Sequence, residues 1–272
     1  MTNGFSLRRI GAMALRYVYL LRSSLPRMLE MMYWPLMQML TWGFMQTFLA
    51  RAGVPAQGGV PMAAAGALIG AVLLWDILIR AQQGFSFSFL EELWSRNLAN
   101  LLMSPLRPVE FIVALMAMSL VRLSIGMIPI IFLATLFFGF DLLSLGVAFA
   151  AFFAVLVCFA WGVGLLVSGL LLRFGLGVEN LVWSVIFIVQ PLGAVYYPVS
   201  ALPAWLQPVS WLLPPTYVFE GLRGVLIDHV VRWDLLAQGF AIDVVLFAGA
   251  SAAFGRMLQG ARRAGTLLQT GE

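Results

Sequence analysis

The sequence has no lysine, and its sixteen basic residues are all arginine. This absence excludes the lysine-containing phosphate loop of P-loop ATPases and any Schiff-base enzyme. The single cysteine, Cys158, and the single histidine, His229, exclude an internal disulfide, a thiolate cluster and a multi-histidine metal site. We therefore expect a chain without a resident metal or cofactor that does not itself hydrolyse ATP.

Charged residues are also scarce, at 10% of the chain against 62% hydrophobic residues. The stretch "FIVALMAMSLVRLSIGMIPIIFLATLFFGF" at 111–140 is longer than the roughly 20 apolar residues that cross a bilayer. A single all-α integral membrane domain over residues 1–272 is the natural expectation. The net charge of +4 does not indicate nucleic acid binding, because the arginines are scattered between apolar segments.

Hydropathy predicts six transmembrane helices. Their expected positions are 31–50, 62–81, 109–138, 144–172, 179–197 and 236–256. If the N-terminus is cytoplasmic, twelve arginines fall on the inner side and three on the outer side, while Arg122 lies within a span. Since basic residues accumulate on the cytoplasmic side, this bias predicts that both termini are cytoplasmic.

Residues 1–30 are too basic to form a span. At helical spacing their apolar residues share one face (Leu7, Ile10, Ala14, Val18, Leu21 and Leu25), and three arginines share the opposite one (Arg9, Arg16 and Arg27). This pattern predicts an amphipathic helix in the membrane interface. A loosely ordered basic leader that only fixes orientation is the alternative.

Residues 84–108 form a polar segment between the second and third predicted spans. Leucines and a tryptophan recur there at helical spacing, and two prolines end the pattern: Leu90, Leu93, Trp94, Leu98, Leu101, Leu102, Pro105 and Pro108. We predict a short amphipathic helix at the cytoplasmic surface. It either floats on the headgroups or docks a soluble partner, with Trp94 and Arg96 as anchors.

The segment "PVSALPAWLQPVSWLLPPTYVFEGLRG" at 198–224 is apolar, but its prolines forbid one continuous span. We predict a short helix that dips into the outer leaflet and turns back, followed by a second helix on which Glu220 and Arg223 pair. An interfacial loop that only joins the fifth and sixth spans is the alternative.

Several polar residues fall inside predicted spans, where an isolated charge costs about 2.5–3.5 kcal/mol. Asp76 and Arg80 are four residues apart and either pair locally or line the inner mouth of a pathway. Arg122 and Asp243 come to a similar predicted height, which suggests a second ion pair. Gln190 lies beside Pro191 in the fifth span, where a packing kink and a role in a pathway are both open.

These features together resemble the type 2 family of ATP-binding-cassette export permeases. The likeness rests on six spans with both ends inside, an amphipathic N-terminal helix, and two motifs. The first motif is acid-acid-x-W-S-R-N-L-x-N-L-L-x-S-P-L-x-P-x-E-F before the third span, and the second is P-x-x-x-L-P-x-W-L-Q before the sixth. The resemblance covers nearly the whole chain.

The resemblance implies a coupling helix that docks into a separate ATPase subunit. It assigns this contact to seven consecutive residues: Glu91, Glu92, Leu93, Trp94, Ser95, Arg96 and Asn97. Many members have a Gly-Thr pair where this chain has Arg96-Asn97. The same resemblance implies that ATP and Mg²⁺ are bound by the ATPase and not by this chain.

The resemblance also implies a substrate path along the second and fifth spans of two protomers. Its candidate residues are Trp183, Phe187 and Gln190, together with Asp76; the outer segment, with Pro203, Trp205, Leu206, Glu220 and Arg223, becomes an outer gate. The expected function is the permease subunit of a homodimeric exporter in the bacterial inner membrane, moving a lipophilic or lipid-linked substrate by alternating access. The alternative is an accessory membrane protein or channel without an ATPase.

Overall fold

The computed structural model describes residues 5–52 and 66–264, and all regular structure in these ranges is helical. The helices are α1 (Leu7–Arg22), α2 (Leu25–Arg51), α3 (Ala67–Trp94), α4 (Leu98–Met103), α5 (Pro108–Phe138), α6 (Val147–Phe174), α7 (Leu181–Ser184), α8 (Val189–Leu192), α9 (Gln207–Ser210), α10 (Pro214–Ile227) and α11 (Trp233–Ala264). Tight 3-10 turns lie at Leu142–Leu145, Gly175–Val178, Val185–Ile188 and Val199–Ala201. The predicted all-helical class is confirmed for the described residues.

Within the described part of the chain, four helices are long and apolar enough to cross a membrane: α3, α5, α6 with the turn after it, and α11. The first predicted span lies within α2, which is nearly as long as the others but less apolar, in part because it carries Gln38 and Gln46. The fifth, predicted at 179–197, contains the shorter interrupted helix Leu181–Leu192, in which α7 and α8 flank the turn Val185–Ile188. Six spans therefore stay a prediction, and the loop predicted between the first two falls largely on residues 53–65, outside the described ranges.

Helix α3 occupies the centre of the fold, because its first part, 67–75, is apolar on every side and most of its later residues are buried as well. Around its first half, Trp75 packs with Phe152 of α6 and Phe219 of α10 in one hydrophobic cluster. Around its second half, Phe89 packs with Phe111 of α5 and Phe254 of α11 in another. The remaining long helices are thus arranged about α3.

The short amphipathic helix predicted within the segment 84–108 is not one separate helix. Helix α3 does not stop near residue 81 but continues to Trp94, because Phe85, Phe89 and Leu90 are buried in the core that the helix enters. The chain turns at residues 95–97, and only the short α4 lies beyond. The polar residues of this segment up to Glu92 therefore belong to a core helix and not to a separate surface helix.

Helix α1 is present, but its packed face differs from the predicted one. Ile10, Met13, Tyr17 and Leu21 are buried against the rest of the protein, whereas Leu7 is 75% exposed. The packed face is rotated toward Met13 and Tyr17 because Arg9 and Arg16 bind protein carboxylates and do not point away from the core. That α1 lies in the membrane interface stays a prediction.

Candidate functional site

A cavity of about 550 Å³ lies between α2, α3, α5 and the interrupted helix. This volume is within the range of about 300–1,000 Å³ that is typical of small-molecule sites. Its wall combines aromatic rings with charged and amide side chains: Glu30, Met31, Trp34, Gln38, Asp76, Ile79, Arg80, Gln83, Gly84, Phe87, Glu91, Trp94, Arg122, Trp183 and Phe187. A wall of this kind suits a molecule that has both polar and apolar parts.

Helix α3 supplies the longest side of the cavity through residues spaced three or four apart, which share one helix face. They are Asp76, Arg80, Gln83, Phe87, Glu91 and Trp94. At 1.5 Å per residue this stripe is about 27 Å long, so the cavity extends most of the way along a transmembrane helix. The polar stripe is the sequence signal that marks the site.

Three of the predicted path residues, Asp76, Trp183 and Phe187, lie in the wall of this one cavity. Gln190 does not line it, and its amide donates instead to the Tyr196 hydroxyl at 3.1 Å. A role in transport stays a prediction for all four residues.

The contribution of α2 to the cavity was missed by the sequence analysis. Glu30, Trp34 and Gln38 each follow the last by four residues, so they form one face of α2 opposite the stripe of α3. This spacing of four is the sequence signal for a polar and aromatic face on α2.

The predicted local pair of Asp76 and Arg80 does not form. The Arg80 Nη1 donates to Gln83 Oε1 at 3.1 Å, and both Asp76 oxygens are buried without a hydrogen-bond donor. Arg80 therefore acts on Asp76 only through its charge.

The predicted pair of Arg122 and Asp243 is also wrong. Arg122 Nη2 donates to Glu91 Oε2 at 2.8 Å, which closes an ion pair at the cavity wall. Glu91 is available there because α3 continues past its predicted end and carries Glu91 alongside α5. Asp243 is 1% exposed, and neither of its oxygens has a hydrogen-bond partner.

The seven residues assigned to ATPase docking differ widely in exposure. Trp94, Ser95 and Arg96 are exposed at the end of α3, whereas Leu93 is buried. Glu92 is fully buried as well, and it accepts hydrogen bonds from Arg16 Nη1 and from Asn97 Nδ2, the latter at 2.8 Å. Among these seven residues, the surface that a partner could touch is therefore 94–96, which comprises the end of α3 and the start of the turn.

A comparison with protein-family models adds a direct result. Residues 19–227, more than three quarters of the chain, match the model of the ABC-2 type transporter. The chain belongs to the ABC-2 type transporter family. No curated protein sequence matches the chain significantly.

Membership makes this ABC-2 protein a multi-pass membrane permease component and implies an ABC ATPase as its partner. This agrees with the four long apolar helices among the described residues. The resemblance noted from the two motifs is thereby confirmed at the level of the family.

The outer segment of this ABC-2 permease is less helical than predicted. Helix α9 covers only Gln207–Ser210, and α10 begins at Pro214 because prolines fit the first turn of a helix. Pro203 and Trp205 lie in the irregular stretch before α9, where the indole is 74% exposed, and Leu206 is half-buried. Whether this segment acts as a gate stays a prediction.

Glu220 and Arg223 do not pair with each other, because each binds the backbone that precedes α9. Glu220 Oε1 accepts from the Val199 amide at 2.7 Å, and Arg223 Nη2 donates to the carbonyls of Ala194 and Tyr197. Both residues thus tie α10 of the permease to the stretch that follows the interrupted helix.

Proposed function

We propose that this protein is the permease subunit of an ABC exporter that moves a lipophilic or lipid-linked substrate by alternating access. In this proposal the chain forms a homodimer with six spans per protomer. The two spans beyond the four long apolar helices are α2, which is less apolar, and the interrupted helix, which is shorter. Both termini face the cytoplasm of a bacterial inner membrane. ATP and Mg²⁺ bind to a separate ATPase subunit.

The observation that carries the proposal is the cavity along α3 in a chain of the ABC-2 type family. The polar stripe runs from Asp76, about a third of the way along α3, to Trp94 at the end that we place in the cytoplasm. A substrate that enters beside Trp94 would therefore have a continuous amphipathic wall to the middle of the bilayer. The aromatic rings of Trp34, Trp183 and Phe187 suit an apolar tail.

Contact with the ATPase is proposed at the turn 94–96. The Trp94 indole is 49% exposed and is held in place by a hydrogen bond from its Nε1 to Glu179 Oε2 at 3.2 Å. Trp94 is the last residue of the α3 stripe that lines the cavity. A partner bound to Trp94 would therefore touch both the turn and the cavity wall. This position would let ATP binding change the shape of the cavity.

Co-purification and transport test the proposal directly. A tagged chain expressed in its own host should bring down an ABC ATPase, and proteoliposomes that contain both should accumulate a lipophilic substrate only when ATP is supplied. Failure to recover an ATPase, together with no ATP-dependent transport, would contradict the exporter function.

A single substitution tests the docking turn. Trp94→Ala should weaken binding of the ATPase by at least about tenfold, because anchoring aromatic residues contribute about 2 kcal/mol or more to an interface. Trp233→Ala is the matched control, since Trp233 is 51% exposed at the far end of the molecule. Titration of the ATPase onto the immobilised permease measures both affinities, and equal losses in the two variants would contradict docking at Trp94.

A further inference from the structure

We infer that the cavity binds the positively charged group of its ligand at Asp76, so that the transported substrate is a lipophilic cation. This inference deepens the proposed function and rests on it. The Asp76 side chain is fully buried in the cavity wall, and both carboxylate oxygens lack a hydrogen-bond donor. A buried carboxylate without a partner is unfavourable within a membrane protein, and a cationic ligand would supply the missing partner.

The charges of the cavity wall favour a cation over an anion. The wall has three carboxylates, Glu30, Asp76 and Glu91, and two guanidinium groups, Arg80 and Arg122, so it carries one net negative charge when all are ionised. Arg122 is already paired with Glu91. An anionic ligand would have to separate that pair or approach Arg80, which already interacts electrostatically with the carboxylates of Asp76 and Glu30. A cation would meet neither obstacle.

Aromatic rings on the opposite side provide the second half of the site. Trp34 of α2 is 57% exposed, and Trp183 of the interrupted helix is 37% exposed, so both present ring surface. Phe87 meets Trp183 edge to face at a centroid distance of 5.2 Å, and Phe187 meets Trp75, the neighbour of Asp76, at 6.3 Å. Ring faces bind cations as well as apolar groups, which matches the charge preference of Asp76.

Asp243 provides a matched comparison elsewhere in the same protein. It is as deeply buried as Asp76, and its two oxygens are equally without a hydrogen-bond partner. It does not line the cavity. A general effect of removing a buried charge should therefore appear in both residues, whereas ligand binding should depend on Asp76 alone.

The test uses tetraphenylphosphonium and tetraphenylborate, two ions of nearly the same shape and opposite charge. Equilibrium dialysis measures their binding to the purified full chain in zwitterionic lipid nanodiscs, with empty nanodiscs subtracted. We expect saturable binding of tetraphenylphosphonium that Asp76→Asn weakens by at least about tenfold, since the paired charge is lost. Trp34→Leu should weaken it by about twofold to fivefold, and Asp243→Asn should leave it unchanged.

Three results would overturn the inference: no saturable binding of tetraphenylphosphonium, equal weakening by Asp76→Asn and Asp243→Asn, or preferential binding of tetraphenylborate. Asn has nearly the shape of Asp and removes an unpartnered charge, so Asp76→Asn should fold. Equal melting temperatures of the two variants would show that lost binding is not lost structure.

The binding test needs no ATPase, so its outcome is separate from that of the exporter function. A chain that binds tetraphenylphosphonium through Asp76 but never recruits an ATPase would contradict the exporter function alone. A chain that assembles with an ATPase but fails to bind the cation would contradict the charge preference alone.

Discussion

Arg96 has a left-handed backbone, with φ at 52°, which is unfavourable for a residue with a side chain. The position follows from how α3 ends. The Asn97 amide donates to the Glu92 carbonyl at 3.0 Å, and the Arg96 amide donates to the Leu93 carbonyl at 3.0 Å. This pair of bonds is the Schellman ending, in which the left-handed residue is usually glycine. A glycine at this position would fit the same geometry without strain.

Arg96→Gly should therefore stabilise the protein, because it removes a left-handed cost of about 1–2 kcal/mol. The melting temperature of the purified protein should rise by about 2–4 °C per kcal/mol gained. Arg256→Gly is the control of opposite sign, since Arg256 is exposed inside α11, where glycine costs about 1 kcal/mol. A fall in melting temperature for Arg96→Gly would mean that the arginine side chain stabilises the turn more than its backbone strains it.

Individual residues show what the sequence could predict. Asp76 was a candidate because a carboxylate inside a span is unusual, whereas Trp183 and Phe187 were candidates because the family resemblance implies a path along the fifth span. The structure places all three in one cavity wall. The partner of Arg122 could not be predicted in this way. Counting residues along a span gives the height of a side chain in the membrane but not its direction around the helix. Glu91 could not be recognised as the partner, because the sequence placed it in a loop, whereas α3 continues to Trp94.

At the scale of elements, α1 is attached to the bundle by two buried carboxylates. Glu110 at the start of α5 accepts from Arg9 Nε at 2.8 Å and from the Ser6 amide at 2.8 Å. Glu92 near the end of α3 accepts from Arg16 and Asn97. Both carboxylates are fully buried and need a positively charged partner, which α1 supplies. This requirement explains why Arg9 and Arg16 point toward the protein.

The pair of Arg16 and Glu92 can be tested by rescue. Arg16→Gln alone should destabilise the protein by about 2 kcal/mol, less than the 3–5 kcal/mol typical of a fully buried pair because the Arg16 side chain is 37% exposed. Glu92→Gln in the same chain should recover about half of the loss, because no carboxylate is then left unpaired. Melting temperatures of the two single variants and the double variant measure the coupling, and strictly additive losses would argue against the pair.

Helices α3 and α5 approach closely at Gly84. A Cβ at this position would lie 3.1 Å from the Ser119 Cα and 3.2 Å from its carbonyl oxygen, and neither backbone atom can move aside easily. The Ser119 hydroxyl also donates to the Ala81 carbonyl at 2.8 Å, which is typical of helices held together by small residues in membranes.

Gly84→Leu should push these helices apart and destabilise the protein by about 1–3 kcal/mol. Gly249→Leu is the matched control, because nothing lies within 4 Å of a Cβ at Gly249 and leucine favours a helix more than glycine does. Thermal unfolding of both variants measures the difference. A similar melting temperature for the two would show that α3 and α5 tolerate separation.

At the scale of the molecule, the cavity lies toward one end of α3, and the other end is covered by α10. Trp75 packs with Phe219, and Arg223 binds the carbonyls of Ala194 and Tyr197, which seals the fold beyond Asp76. In the orientation proposed above, with the end of α3 in the cytoplasm, this arrangement would correspond to an inward-facing state. The sequence did not reveal it, because which end of a bundle is closed depends on contacts between distant helices and not on any local pattern.

Alternating access predicts that the cavity becomes protected when ATP drives the permease outward. Phe87→Cys, combined with Cys158→Ala, reports on the cavity because Phe87 lines it. An impermeant maleimide should label Phe87→Cys from the cytoplasmic side at rest, and vanadate trapping with ATP should slow that labelling by about tenfold or more. Ser144→Cys, on the exposed turn between α5 and α6, should be labelled from outside at a constant rate. Labelling of Phe87→Cys that is unchanged by trapping, while the ATPase is demonstrably trapped, would contradict alternating access through this cavity.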